Sequence, residues 1–143
     1  MGFGVSGSTA IIFLGVLIAT GTLYTATSNA TENVFEAQDD SSELALERKN
    51  TDISVTNATY YSGNTTLVVN VTNTGAQTLA VDETTVLVDN VYAAPETTTV
   101  EGSQATNLWH SGGNLTIEVS NETQPDRVKV VTGTGVAATE VVS

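Results

Sequence analysis

The sequence holds no cysteine, which excludes disulfides, thiolate metal sites and cysteine nucleophiles. A single histidine, His110, leaves no two-His or three-His metal site within one chain. Its neighbour Ser111 does not complete a nucleophilic pair, because adjacent residues on a turn rarely converge on one reacting atom. Gly133-Thr134-Gly135 is too short to cradle a phosphate and lacks the lysine that such a loop carries. Basic residues are scarce too: Arg48, Lys49, Arg127 and Lys129 are the full set of 4. So few cations cannot form the footprint that a phosphate backbone requires, which argues against nucleic acid as a partner. Together these absences point away from an enzyme and from any cofactor, and towards a binding or structural role.

Acid is what the chain has in excess. Asp and Glu total 16 against 4 Lys and Arg, for a net charge of −12. Such charge opposes collapse in an ordinary buffer and is one route to disorder. In molar salt, where the Debye length is ~3 Å, the same charge is screened and harmless. Strand periodicity in the second half favours the salt-adapted reading and implies a haloarchaeal source. The length of 143 residues suits one domain. After an apolar N-terminal segment, about 100 residues remain, the size of one β-sandwich and too short for a TIM barrel.

From Phe3 to Tyr24 there is no charged residue. As a helix this run is ~33 Å long, enough for a ~30 Å hydrocarbon core. Gly4, Gly7, Ser8, Gly15, Ala19 and Gly21 are small, as residues often are where membrane helices pack closely. A cleaved secretory signal is the rival reading, since Ala26, Ser28 and Ala30 have cleavage-like spacing, and a pilin-type leader is another. Both want a basic residue ahead of the apolar run, and Met1-Gly2-Phe3 has none. Residues 1–26 are therefore read as a retained transmembrane anchor. The positive-inside rule gives no orientation here, because Arg48 and Lys49 lie after the span among acids.

Residues 27–50 read as an acidic helical stalk that continues the membrane helix, with room for a break near Ser28-Asn29, where Ser28 or Thr31 could N-cap. Val34, Phe35, Ala37, Leu44, Ala45 and Leu46 form an apolar stripe, and Arg48 and Lys49 suit the negative end of the helix dipole. Asp39-Asp40-Ser41-Ser42-Glu43 lacks the glycine and spacing of a calcium loop and reads as a solvated face.

From Thr51 to Ser143 the period becomes two. Leu67, Val69 and Val71 share a face, and Asn73-Thr74-Gly75 closes that strand as a turn. Strands follow at Thr78–Val81, Thr85–Val88, near Val91-Tyr92, at Thr97–Val100, Leu115–Val119 and Arg127–Val131, with a last one through Val142. Pro95 confines its surroundings to a loop or edge. Short β-branched strands at such intervals predict a sandwich. Trp109 is expected beside the core near a sheet end. Six Asn-x-Thr sequons, at Asn29, Asn57, Asn64, Asn70, Asn114 and Asn121, all lie beyond the span, which places the β domain outside the cell as a glycoprotein.

The opening Met1-Gly2-Phe3-Gly4-Val5-Ser6-Gly7-Ser8-Thr9-Ala10-Ile11-Ile12-Phe13-Leu14 resembles the start of the archaellum-associated protein F family. Val69-Asn70-Val71-Thr72-Asn73-Thr74-Gly75 is similar to a strand-and-turn of that family's immunoglobulin-like domain. The resemblance implies a single transmembrane α-helix followed by an all-β immunoglobulin-like sandwich, held between membrane and surface layer. It implies a stator role in archaeal swimming, with the surface-layer protein, the sister archaellum protein G and other motor components as partners, and it leaves a homo-oligomer open. At molar salt, lattice contacts should rest on apolar groups, strand edges or bound cations. Tyr60, Tyr61, Tyr92 and Trp109 are the contact candidates, each weighed against a core role. A filament subunit of the pilin or archaellin kind and a membrane-tethered adhesin are the competing readings.

Overall fold

The computed structural model describes residues 3–143. Met1-Gly2, part of the resemblance above, lies outside the described residues. The chain divides into two compact units, Met1–Glu43 and Leu44–Ser143.

The first unit is helical, formed by α1, which spans Phe3–Asn50. It is a helix long and apolar enough to cross a membrane. Its Ile11, Phe13 and Leu17 side chains are exposed at 73%, 69% and 59%. The helix continues from the apolar run into the acidic stretch, and the break allowed for at Ser28-Asn29 is absent. Thr31 does not cap. Its hydroxyl donates back to Thr27 O at 2.8 Å, as Thr27 does to Leu23 O at 2.8 Å. Hydroxyls satisfied on the preceding turn offer the backbone no competing partner, so nothing interrupts the ladder.

The second unit takes in the end of α1 from Leu44 and ten strands: β1 (Ile53–Tyr61), β2 (Thr66–Asn73), β3 (Leu79–Ala80), β4 (Thr85–Val88), β5 (Val91–Ala93), β6 (Thr97–Val100), β7 (Leu108–Trp109), β8 (Asn114–Ser120), β9 (Arg127–Val131) and β10 (Ala137–Val141). One antiparallel sheet has the order β1-β2-β8-β6, a second β10-β9-β4-β5, and β3 pairs with β7. Alternation fixes which face is buried: β2 alternates half-buried and buried positions along its whole length. Leu67, Val69, Val71, Leu115 and Ile117 of the first sheet and Val86, Val128 and Val130 of the second are at most 1% exposed and form one core. The result is a helix followed by a β-sandwich.

The two sheets are stitched along one side. Ser143 N donates to Ala58 O and Tyr60 N donates to Ser143 O, both at 3.0 Å. This is the pattern of a parallel bridge, and it links the end of the chain to β1. On the other side β5 and β6 are the terminal strands of their sheets, and Pro95 lies in the loop between them as expected. The β4–β5 hairpin turns on Asp89 and Asn90, with φ of 48° and 68°. That is the primed turn that suits the twist of a two-residue loop, built without glycine.

Candidate functional site

No cluster of three or more His, Asp or Glu side chains capable of holding a metal occurs among the described residues. The features that remain are the junction where α1 enters the sandwich and the two outward sheet faces.

The junction is built on Asn73, whose side chain is fully buried. Its Nδ2 donates to Gln77 O at 2.8 Å and to Trp109 O at 3.1 Å, and its Oδ1 accepts from Gly75 N at 3.1 Å. Gly112 N donates to Asn73 O, and Trp109 Nε1 donates to Gly113 O, both at 2.8 Å. The turn that Asn73 holds meets the end of the helix: Ala76 N and Gln77 N donate to Asn50 O at 2.8 and 3.1 Å. A Cβ on Gly75 would lie 2.5 Å from both Asn50 O and Asp52 N, so only glycine lets the two backbones approach this closely. Thr51 Oγ1 donates to Glu47 O at 2.7 Å and Arg48 Nε to Thr134 O at 2.8 Å. The last turn of α1 is thus fastened to the sandwich at several points, satisfying carbonyls that a helix end leaves open.

The outward faces differ in chemistry. On the first sheet, rows run Ser54–Thr72–Asn114, Asn57–Asn70–Thr116–Thr99 and Thr59–Val68–Glu118–Thr97. Hydroxyls and amides dominate, Glu118 is the one charge in those rows, and Thr116 Oγ1 donates to Asn70 Oδ1 at 2.8 Å. On the second sheet, Thr139–Lys129–Leu87–Tyr92 form one row, Ala137–Val131–Thr85 another, and Val141 lies opposite Arg127. At the open edge an acidic recess of about 500 Å³ is lined by Asp82, Tyr92, Pro95, Glu96 and Asn107 among others.

The four contact candidates do not form one patch. Trp109 is 0% exposed; its surface-contact role is corrected to packing, because its ring fills the core and its N–H is spent on Gly113. Tyr60 is half-buried against the core with its hydroxyl donating to Asn121 O at 3.0 Å. Tyr61 and Tyr92 are exposed at 53% and 64%, but on opposite sheets. Of the sequon asparagines, Asn29, Asn57 and Asn64 are exposed and Asn70, Asn114 and Asn121 half-buried. Asn121 Nδ2 donates to Thr123 O at 2.6 Å, and Asn114 Oδ1 is buried without a partner among the described residues. In strands the Asn-x-Thr spacing equals the side-chain period, so Asn57 with Thr59, Asn70 with Thr72, and Asn114 with Thr116 share the outward face. Sequence reading missed the burial of Asn73; the one signal for it is the Asn-x-Gly turn closing an alternating strand.

Comparison with known proteins adds the family. The sequence model of the archaeal-type flagellins matches residues 2–142. The chain belongs to the archaeal-type flagellin family. This places it among archaellum-related structural proteins. No curated protein matches this flagellin-family chain. Among solved structures, it is similar to the archaellum periplasmic stator protein FlaG from Sulfolobus acidocaldarius, with a TM-score of 0.50 and 18% identity over 63% of this chain and 97% of that one. It is also similar to the complex of the stator proteins FlaF and FlaG from the same organism, with a TM-score of 0.46 and 16% identity over 62% of this chain and 85% of that one. At these identities the likeness to FlaG is one of fold.

Proposed function

We propose that the chain is a non-catalytic, membrane-anchored component of the archaellum of the stator kind. In this reading α1 crosses the membrane once, and the β unit sits outside it and grips the surface layer. The observation that carries the reading is the junction: the final turn of α1 is bound to the sandwich by Asn50 and Arg48 at 2.8–3.1 Å. A flexible tether would need none of these bonds, whereas a part that resists force needs them. The sheet orders β1-β2-β8-β6 and β10-β9-β4-β5 support an immunoglobulin-like topology, in which A-B-E-D faces G-F-C. Sister stator proteins of the FlaG kind, the surface-layer protein and further copies of the chain are the partners proposed. The net charge of −12 supports work at molar salt, as in a haloarchaeon. Exposed Asn29, Asn57 and Asn64 are the proposed glycan carriers.

The test is co-sedimentation of the full chain, in detergent and molar salt, with purified surface-layer sheets. Saturable binding that survives the salt is expected. Its absence, with and without calcium, would sink the lattice-binding mechanism. A second reading, the filament subunit, is favoured by the family match itself. Labelling an epitope-tagged chain on isolated archaella separates the two, because a stator marks the base and a subunit marks the shaft.

A further inference from the structure

The outward face of the β10-β9-β4-β5 sheet stands apart from the rest of an acidic chain. Its strand positions carry Lys129 and Arg127, two of the chain's 4 basic residues, and no carboxylate. Around them lie Leu87, Val131, Ala137, Tyr92 and Val141, the last two exposed at 64% and 72%. Acids border the face rather than occupy its centre: the Glu83 side chain lies over Gly133 beyond the end of β9, and Asp82 and Glu96 share a recess with Tyr92. The Asp89 carboxylate accepts the backbone N–H groups of Asp126 and Arg127 at 3.1 and 3.0 Å, and Glu140 pairs with buried Val128, on the other side of β10.

The chain also holds the complement of this face. Between Glu32 and Leu46, α1 carries Glu32, Glu36, Asp39, Asp40 and Glu43 and no base. Steps of three and four place Glu32, Glu36, Asp39 and Glu43 on one helical stripe, with Phe35 and Leu46 beside it. Phe35 and Leu46 are exposed at 61% and 60%.

We propose that this sheet face docks the acidic stretch of α1, residues 32–46, of a second copy of the chain. Two chains of net charge −12 repel each other except where one presents cations. The pairing meets that condition with carboxylates against Lys129 and Arg127, and with Phe35 and Leu46 against Leu87, Tyr92 and Val131. Joining one surface to a different surface leaves a free face on one copy and a free helix on the other, so the contact propagates as an open chain of subunits. In molar salt the charges act only at contact, while the apolar part is strengthened by excluded salts. The proposal goes beyond the anchor reading and holds for a stator or a filament subunit alike.

The test uses the full chain in detergent, where the absence of cysteine leaves no background. One tagged copy carries Tyr92→Cys and a differently tagged copy carries Phe35→Cys, and the mixture is mildly oxidised. The mixed disulfide is expected to dominate both like-with-like products. Lys129→Glu on the first copy should lower its yield about fivefold, and Glu36→Lys on the second should restore it. Like-with-like products in equal yield, or a mixed yield indifferent to Lys129→Glu, would overturn the proposal. So would a doubly substituted chain whose disulfide stays within one copy at every concentration.

Discussion

Replacing Asn73 by alanine removes three side-chain hydrogen bonds, to Gln77 O, Trp109 O and Gly75 N, from a residue that is 0% exposed. Each such bond contributes about 1 kcal/mol net, and a buried carbonyl left without its donor costs about 1–3 kcal/mol, so the loss should be about 3 kcal/mol. The chain reports on itself, because Trp109 is its single tryptophan and is buried in the same knot. Urea unfolding followed by Trp109 fluorescence, in detergent and at fixed salt, therefore reads the sandwich alone. With a slope of about 1.5 kcal/mol/M for a unit of this size, the midpoint should fall by about 2 M. Asn73→Asp should do no better, since a carboxylate has no hydrogens for the two carbonyls. A drop of less than about 0.5 M for Asn73→Ala, at unchanged slope, would refute the view that this side chain organises the junction.

Further outcomes are expected by the same assay and by mass spectrometry. Gly75→Ala should cost about 1–3 kcal/mol, because the added Cβ meets backbone atoms of Asn50 and Asp52 at 2.5 Å and neither can swing aside; a neutral result would show that the junction is loose. Leu67→Ala should lower stability by about 2–5 kcal/mol, from a side chain with 0% exposure at the centre of the core. Thr116→Val deletes the bond to Asn70 Oδ1 on a half-exposed face and should change stability by less than about 1 kcal/mol. Intact-glycopeptide mapping of protein from its natural source should find sugar at Asn57 and Asn64 and none at Asn70, a half-buried residue of a central strand whose amide oxygen is held by Thr116.

The parts of the fold that follow from a local period were legible in advance. β4, β6 and β9 have the bounds that the alternation of Thr, Val and Leu suggested, and Leu67, Val69 and Val71 point inward together. What depends on distant partners was not. β7 has two residues and exists because Leu79 pairs with Trp109, thirty positions later, which no local pattern announces. Asn73 reads as a turn residue because asparagine is mostly exposed, and its burial is settled by a carbonyl 36 residues away. The continuation of α1 into the acidic stretch was legible, but the break at Ser28-Asn29 was not to be found, because the Thr27 and Thr31 hydroxyls that could have capped a new helix bond to the turn behind them. The cationic face appears only when register sets Lys129 beside Leu87 and Tyr92.

The parallel bridge that Ser143 makes with Ala58 and Tyr60 has a mechanical consequence. A pull delivered through Asn50 enters β1 lengthwise, along a strand whose bonds to β2 and to Ser143 run across the direction of pull. Bonds set crosswise to a load share it and must yield together, whereas a strand peeled from an edge gives up one bond at a time. The seam along β1 is therefore the place where this sandwich resists being drawn out by its own helix.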